Sequence, residues 1–279
     1  MPQEWTPQWA ARSPMFEPLR GYAAQLAGGH WPSLAELQAL FDAAGVVNER
    51  GSALRLVPQG ARRGGYESRI HLDGELQVRP ANWHDFFNAL AWLAFPRTKA
   101  ALNGRHCREQ AKRRAAGAVN RGPVQDALTL FDEGGVAVVS SAADLLALLE
   151  EFAWKELFWR NRARVMRHMR FVVFGHALHE KALAPFRGIT GRGLLFEVEA
   201  GFHALPLAES NARLDAMIAA VVRDPRRLLS TRELAPVPVL GVPGWCEDNA
   251  RESYYDDDGY FRPAAARAVR RTLSRRCRR

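Results

Sequence analysis

Three cysteines in 279 residues, Cys107, Cys246 and Cys277, stand far apart and form no CxxC pair. That spacing argues against a disulfide framework and a thiolate zinc site, and it suits a reducing cytoplasm. Long apolar runs are missing too. No stretch approaches the ~18 residues that a membrane helix needs, and the longest candidate, Phe86 to Phe95, is short and broken by Asn88. The N-terminus lacks a basic start followed by an apolar stretch, so no secretory leader is expected. There is no GxxxxGK(S/T) phosphate loop, GxGxxG fingerprint or GxSxG elbow, which lowers the ATPase, dinucleotide and α/β-hydrolase readings.

What is present is arginine, 35 residues against four lysines, and a formal net charge of +9. The arginine bias reflects a GC-rich genome as much as a demand for bidentate phosphate contacts. The charge is not spread evenly: residues 262–279 hold eight arginines and no acidic group, leaving 31 basic against 30 acidic groups elsewhere. The expectation is a nearly neutral body over residues 1–261 and an Arg-rich tail over 262–279.

The most informative stretch is Pro80 to Pro96, which reads as a helix apolar all round except at His84, Asp85 and Asn88. At about 100° per residue, Asn88 falls about 40° from His84 and Asp85 about 100° from it, so one edge carries the polar groups. A helix without a solvated face is buried, and buried imidazole, carboxylate and amide groups need partners. All three are therefore expected to be mostly buried and hydrogen-bonded. Two readings are open. In one, Asn82 and Asp85 form a reciprocal capping box and the edge is structural; in the other, the edge binds a ligand or catalyses a reaction.

The rest of the chain mixes strands and helices. Ser33 and Glu36 form a capping box for a helix ending near Gly45. Tyr66 to Leu72 and Glu75 to Arg79 predict a hairpin around Asp73-Gly74, and Ala127 to Phe131 with Val136 to Ser140 predict a second around residues 132–135. At Asp132 the turn reading stands against a metal-carboxylate role. Ala142 to Met166 reads as one long helix, Phe171 to Phe174 as a buried strand, and His176 to Leu183 as a helix. Leu194 to Val198 predicts a strand, Leu207 to Val222 an amphipathic helix, and Ala235 to Trp245 an extended wrapping segment. The expected fold is α+β, a single domain of β-hairpins and strands packed with several helices.

His176, His179 and Glu180 form a second polar knot at i, i+3 and i+4, directly after a strand. The spacing is HxxHE, which matches neither HExxH nor HxxEH zinc helices, and an exposed first turn explains it equally well. If the strand delivers His176 to the His84 edge, the ligand types are those Zn, Mn or Fe ions accept. A nuclease template, with His71 at a hairpin and His84 or Asn88 on the next helix, fits only loosely. The basic segments Arg105 to Arg121 and Arg160 to Arg170 either track a phosphate backbone or are solvated helix faces.

Residues 82–90 (NWHDFFNAL), 95–103 (FPRTKAALN), 128–133 (LTLFDE) and 175–178 (GHAL) together resemble an uncharacterised proteobacterial family, a domain of unknown function of the DUF3025 type. The resemblance covers most of residues 10–262 and carries no activity, cofactor or catalytic residue with it. The functional expectation rests on the residues themselves: a cytoplasmic, metal-dependent hydrolase acting on a phosphoester or other anion. In that scheme His84, Asn88 and His176 are metal ligands, Asp85 is a ligand or orients His84, and Glu180 is the general base. The alternative is a non-enzymatic protein that binds nucleic acid or an anionic surface through its Arg segments, with a purely structural polar cluster.

Overall fold

Buried aromatic residues tie the amino-terminal segment to the rest of the chain. In the computed structural model, which describes residues 4–60, 65–118 and 120–263, two 3-10 turns bury Trp9, Met15, Phe16 and Leu19 before helix α1 (Arg20–Gln25). Helix α2 (Leu34–Ala44) begins at the expected capping box: the Glu36 N–H donates to Ser33 Oγ, and the Ser33 N–H to Glu36 Oε2. It ends at Gly45, whose φ of +60° is the left-handed cap that glycine adopts cheaply.

The hairpin expected around Asp73-Gly74 does not form. Tyr66–Asp73 is helix α3, Gly74 is its left-handed cap, and strand β2 (Glu75–Gln77) runs parallel to β1 (Arg55–Val57). Asp-Gly ends a helix as readily as it turns a hairpin. Here the helix wins because it buries Ile70, and because Asn48 Nδ2 donates to the carbonyls of Ile70 and His71 at its end. A Cβ on Gly74 would lie 2.6 Å from the Ala53 carbonyl oxygen, so no other residue fits.

Helix α4 (Trp83–Ala94) leads through Phe95 into α5 (Pro96–Ala115), with Pro96 in the first turn, where its missing N–H costs nothing. The second expected hairpin is also absent: Pro123–Gly134 is helix α6, burying Ala127, Leu128 and Phe131 on one face, and it passes straight into β3 (Gly135–Ser140). The long helix expected over residues 142–166 is broken. Helix α7 (Ala143–Glu150) stops at Phe152, held at φ +61°, and a π-helical turn (Glu156–Arg160) precedes α8 (Arg162–His168). The break lets Phe152 pack edge-on against Trp154 at 5.4 Å.

Strand β4 (Met169–Val173), helix α9 (His176–Ala182), strand β5 (Thr190–Glu197), helix α10 (Leu207–Arg223) and strand β6 (Ala235–Pro238) follow. The sheet order is β4-β3-β5-β6, with β3 antiparallel to β4 and parallel to β5, and β5 antiparallel to β6. All six residues of β3 are buried. Val136 and Val138 face the aromatic core of Trp9, Phe16 and Phe87; Ala137 and Val139 face Phe131, Phe174 and α10. The result is an α+β fold, and among the described residues no helix is long and apolar enough to cross a membrane. From residue 264 on, the expected tail lies outside the described residues.

One close approach positions the site. The N–H groups of Phe174 and Gly175 both donate to the Gly135 carbonyl at 2.9 Å. A Cβ on Gly175 would sit 2.4 Å from the Glu133 oxygen and the Gly135 nitrogen. Glycine there brings the start of α9 onto the end of α6, and with it His176 beside Asp132.

Candidate functional site

Helices α4 and α9 pack together so that His84, in the first turn of α4, meets the first two turns of α9. His84 Nε2 and His176 Nε2 are 3.2 Å apart, with ring centroids 4.6 Å apart and planes at 76°. Each ring turns its other nitrogen to a carboxylate. His84 Nδ1 is 3.0 Å from Glu180 Oε2, and His176 Nδ1 is 3.7 Å from Asp132 Oδ2. The Glu180 carboxylate selects the Nδ1–H tautomer of His84 and leaves its Nε2 as the lone-pair nitrogen, while His176 Nδ1, at 3.7 Å from Asp132, makes no hydrogen bond. Across 3.2 Å, His176 Nε2 either donates its own proton to that lone pair or shares a cation with it.

Behind the pair runs a chain of polar contacts that starts buried at Lys99 and Asn88 and ends at the exposed Tyr66. Lys99 Nζ donates to Asp132 Oδ1 at 2.6 Å and to Asn88 Oδ1 at 2.8 Å, and it lies 5.7 Å from the centre of the Trp92 ring. Asn88 Nδ2 donates to Tyr66 Oη at 2.6 Å. Burial opposes ionisation of Asp132, but Lys99 and His176 outweigh it and hold its carboxyl below the usual range. Burial pushes His176 down to about 4 against the pull of Asp132. His106 is likewise pushed down to about 4 by burial. Burial raises Glu67, although Asn103 Nδ2 donates to it at 2.6 Å. Desolvation also raises Tyr66, with the nearby charges of Glu67 and Asp132 adding to the shift.

His84, His176, Asp132, Glu67, Tyr66 and His106 line a cavity of about 410 Å³, open on one side, whose wall also includes Arg79 and Arg121 and the carboxylates of Asp85 and Glu133. That volume lies within the ~300–1,000 Å³ of ordinary small-molecule sites, and the lining is polar rather than apolar.

The residues expected from sequence divide into two groups. His84, His176 and Glu180 come together, although Glu180 sits where it orients His84 rather than in the open cavity. Asp85 and Asn88 are placed differently. Asp85 accepts from Arg79 three times at 2.8 Å, from its N–H, Nε and Nη2, so it neither orients His84 nor reaches back to Asn82. Only the forward half of that capping box exists, Asp85 N–H to Asn82 Oδ1 at 3.0 Å. Asn88 spends its oxygen on Lys99 and its nitrogen on Tyr66, which leaves no atom for a metal. Of the three groups expected to be buried, Asn88 is, while the His84 side chain keeps 35% exposure and that of Asp85 13%. All three are hydrogen-bonded.

Sequence reasoning missed Lys99, Tyr66 and Glu67, and it set Asp132 in a turn with a metal-carboxylate role only as the alternative. Pro123 at a helix start, with Leu128 and Phe131 at helical spacing, was the signal that would have put Asp132 on a helix. The nuclease template falls with its hairpin: His71 ends α3 and lies outside the cavity wall. His179 shares α9 with His176 but is fully buried, stacked on Phe16 at 5.9 Å, with both ring nitrogens unpartnered. Many of the arginines in the basic segments are spent inside the molecule: Arg105 on carbonyls, Arg108 on Glu49, Arg162 on Asn249, Arg164 on Asp144 and Arg170 on Glu17.

The opposite face of α5 carries a second polar cluster. Asp215 of α10 accepts from the N–H groups of Arg97 and Thr98, at 3.0 and 2.7 Å, and so caps the start of α5. Arg105 in turn donates to the carbonyls of Val222, Asp224 and Arg227, capping the end of α10. Each helix closes the other's free end.

Among the described residues, no set of three or more His, Cys, Asp and Glu side chains converges as metal ligands. No curated protein and no solved structure matches the chain. Residues 54–265 match the family described as Protein of unknown function (DUF3025), and the chain belongs to that family.

Proposed function

We propose that this DUF3025 member is a hydrolase acting on a phosphoester or related anion, with a divalent cation held between His84 Nε2 and His176 Nε2. The observation that carries the reading is the pair itself: two Nε2 atoms 3.2 Å apart, with Glu180 bonded to His84 Nδ1 at 3.0 Å and the Asp132 carboxylate 3.7 Å from His176 Nδ1. Two nitrogens bound to one zinc at about 2.0–2.1 Å, near the tetrahedral angle, are about 3.3 Å apart. Carboxylates behind the histidines are the usual outer support of such sites. Two protein ligands leave the other positions to water and substrate, where an ion polarises a phosphoryl oxygen and lowers the pKa of water. Arg79 and Arg121 give the cavity wall its affinity for anions. Glu67 keeps its proton to a higher pH than an ordinary carboxyl and serves as the acid facing the leaving group.

A second reading is favoured by the lack of a three-ligand set among the described residues. The shared cation is then a proton, and the two histidines act as an acid–base pair on the same class of substrate. Metal titration of the purified protein, with p-nitrophenyl phosphate turnover before and after chelation, separates the two. One bound ion per chain, lost in both His84→Ala and His176→Ala, supports the metal reading. Turnover that survives chelation but not these substitutions supports the proton. No turnover, together with salt-sensitive retention of nucleic acid, returns the protein to the non-enzymatic alternative.

A further inference from the structure

A second cavity, of about 310 Å³, lies on the other side of Arg79 from the histidine pair. Its character is opposite. Trp31, Leu34, Leu37, Val78 and Phe86 form its wall, and Arg79 lines both cavities. Pro80, Ala81 and Asn82 also line this second cavity, with Ala81 at φ +49°, a left-handed conformation that costs an alanine free energy. Arg79, just before them, is held by two guanidinium bonds to Asp85 and stands in the wall of both cavities. The alternation along the extended chain explains the division: Gln77 faces the polar cavity and Val78 the apolar one.

An apolar cavity and a polar one that share a cationic side chain match a single molecule with an anionic head and an apolar tail. We propose that the substrate is an amphiphilic anion, whose phosphate-like head lies by His84, His176 and Arg121 and whose hydrocarbon tail passes Arg79 into the pocket walled by Trp31, Leu34 and Phe86. The chemical fate of the head rests on the hydrolytic reading above; the binding mode does not. The tail gains by leaving water, at about fourfold in affinity per methylene buried, until the pocket is full. The head gains from Arg79 and Arg121 whatever the length of the tail.

The probe is a series of n-alkyl phosphates of increasing chain length, below their micelle concentrations, titrated calorimetrically into the full chain. Affinity is expected to rise about three- to fourfold per methylene and then level off. Leu34→Glu is expected to flatten that rise and leave the shortest member unaffected. Leu34 is half-buried in the first turn of α2, where an acidic side chain is tolerated; Leu34→Gln serves if the charged variant folds poorly. Arg79→Gln is expected to weaken all lengths about equally. Long-chain phosphates that bind but are never cleaved uphold this inference and sink the hydrolase. A wild-type protein whose affinity does not depend on chain length, or an unchanged slope in both Leu34 variants, overturns it, even where short phosphoesters are cleaved.

Discussion

Helix α5 separates two buried polar clusters that are alike in composition and unlike in closure. On one face Thr98 and Arg105 meet Asp215 and the end of α10; on the other Lys99, Asn103 and His106 meet Asp132, Glu67 and the cavity. Both faces bury charge. On the α10 face the donors and acceptors cancel within the protein: a carboxylate accepts from two helix N–H groups, and a guanidinium donates to three carbonyls at and just beyond a helix end. On the cavity face His176 Nδ1 and Asn103 Oδ1 remain unpartnered, and two imidazoles are set nitrogen to nitrogen. A buried polar group is therefore weak evidence of a site. What distinguishes a site is bonding capacity left over beside an accessible space.

The sharpest way to break the comparison is to truncate one group on each face. His84→Ala or His176→Ala is expected to lower turnover by about a thousandfold while shifting unfolding free energy by less than about 1 kcal/mol, since His176 Nδ1 is already unpartnered. Kinetics with p-nitrophenyl phosphate and urea denaturation check both halves. Asp215→Ala is expected to behave in the opposite way. It loses about 2–3 kcal/mol of stability, because two N–H groups and a helix start are left uncapped, with turnover per folded molecule unchanged. If Asp215→Ala abolishes turnover without loss of stability, or His176→Ala unfolds the chain, the distinction between the faces is wrong.

A smaller effect sharpens it through pH. His106, buried on the cavity face, is held near 4, below the ordinary 6.5. As pH falls below about 6.5 the unfolded chain takes up that proton and the folded chain does not, so stability present at neutral pH is lost progressively toward pH 4. The loss from this one group is on the order of 1 kcal/mol at about pH 5.5. His179, held at about 3 by burial, adds in the same direction. His106→Gln is expected to flatten the acid limb of a melting-temperature profile recorded from pH 7.5 to pH 5; an unchanged limb counts against a neutral buried His106. No histidine takes part in the reciprocal caps between α5 and α10, so hydrogen exchange there should change less with acid.

What sequence could and could not show follows from the range of the forces involved. The Ser33–Glu36 box, the stop at Gly45, helix α10 and strand β5 are local, and each is written in four to eight neighbouring residues. The polar edge of α4 was legible for the same reason. Both hairpins failed at glycine signals that serve two structures: Asp73-Gly74 and Gly134-Gly135 end helices here, and burial of Ile70 and Phe131 decides the matter at long range. Asp132 was lost with the second hairpin. Lys99 sits in a helix rich in charged residues, and only the packing of α4, α5 and α6 reveals that it points inward. Asp85 and Glu180 exchange places because both are acidic residues near a histidine, and the chain does not announce that Arg79 claims the first.

The Gly175 approach also bears on the order in which the molecule comes together. It joins α6 to α9 across a separation of 42 residues, from Glu133 to Gly175, whereas the His84–His176 contact spans 92. Closing the larger loop costs more chain entropy, and contacts far apart in sequence slow folding. The approach of His176 to Asp132 therefore closes within residues 132–176, and His84 arrives only when the helix bearing it docks. A partly folded molecule has one imidazole of the pair and no shared point between two nitrogens, so the chemistry of this site is confined to chains whose two halves have closed on each other.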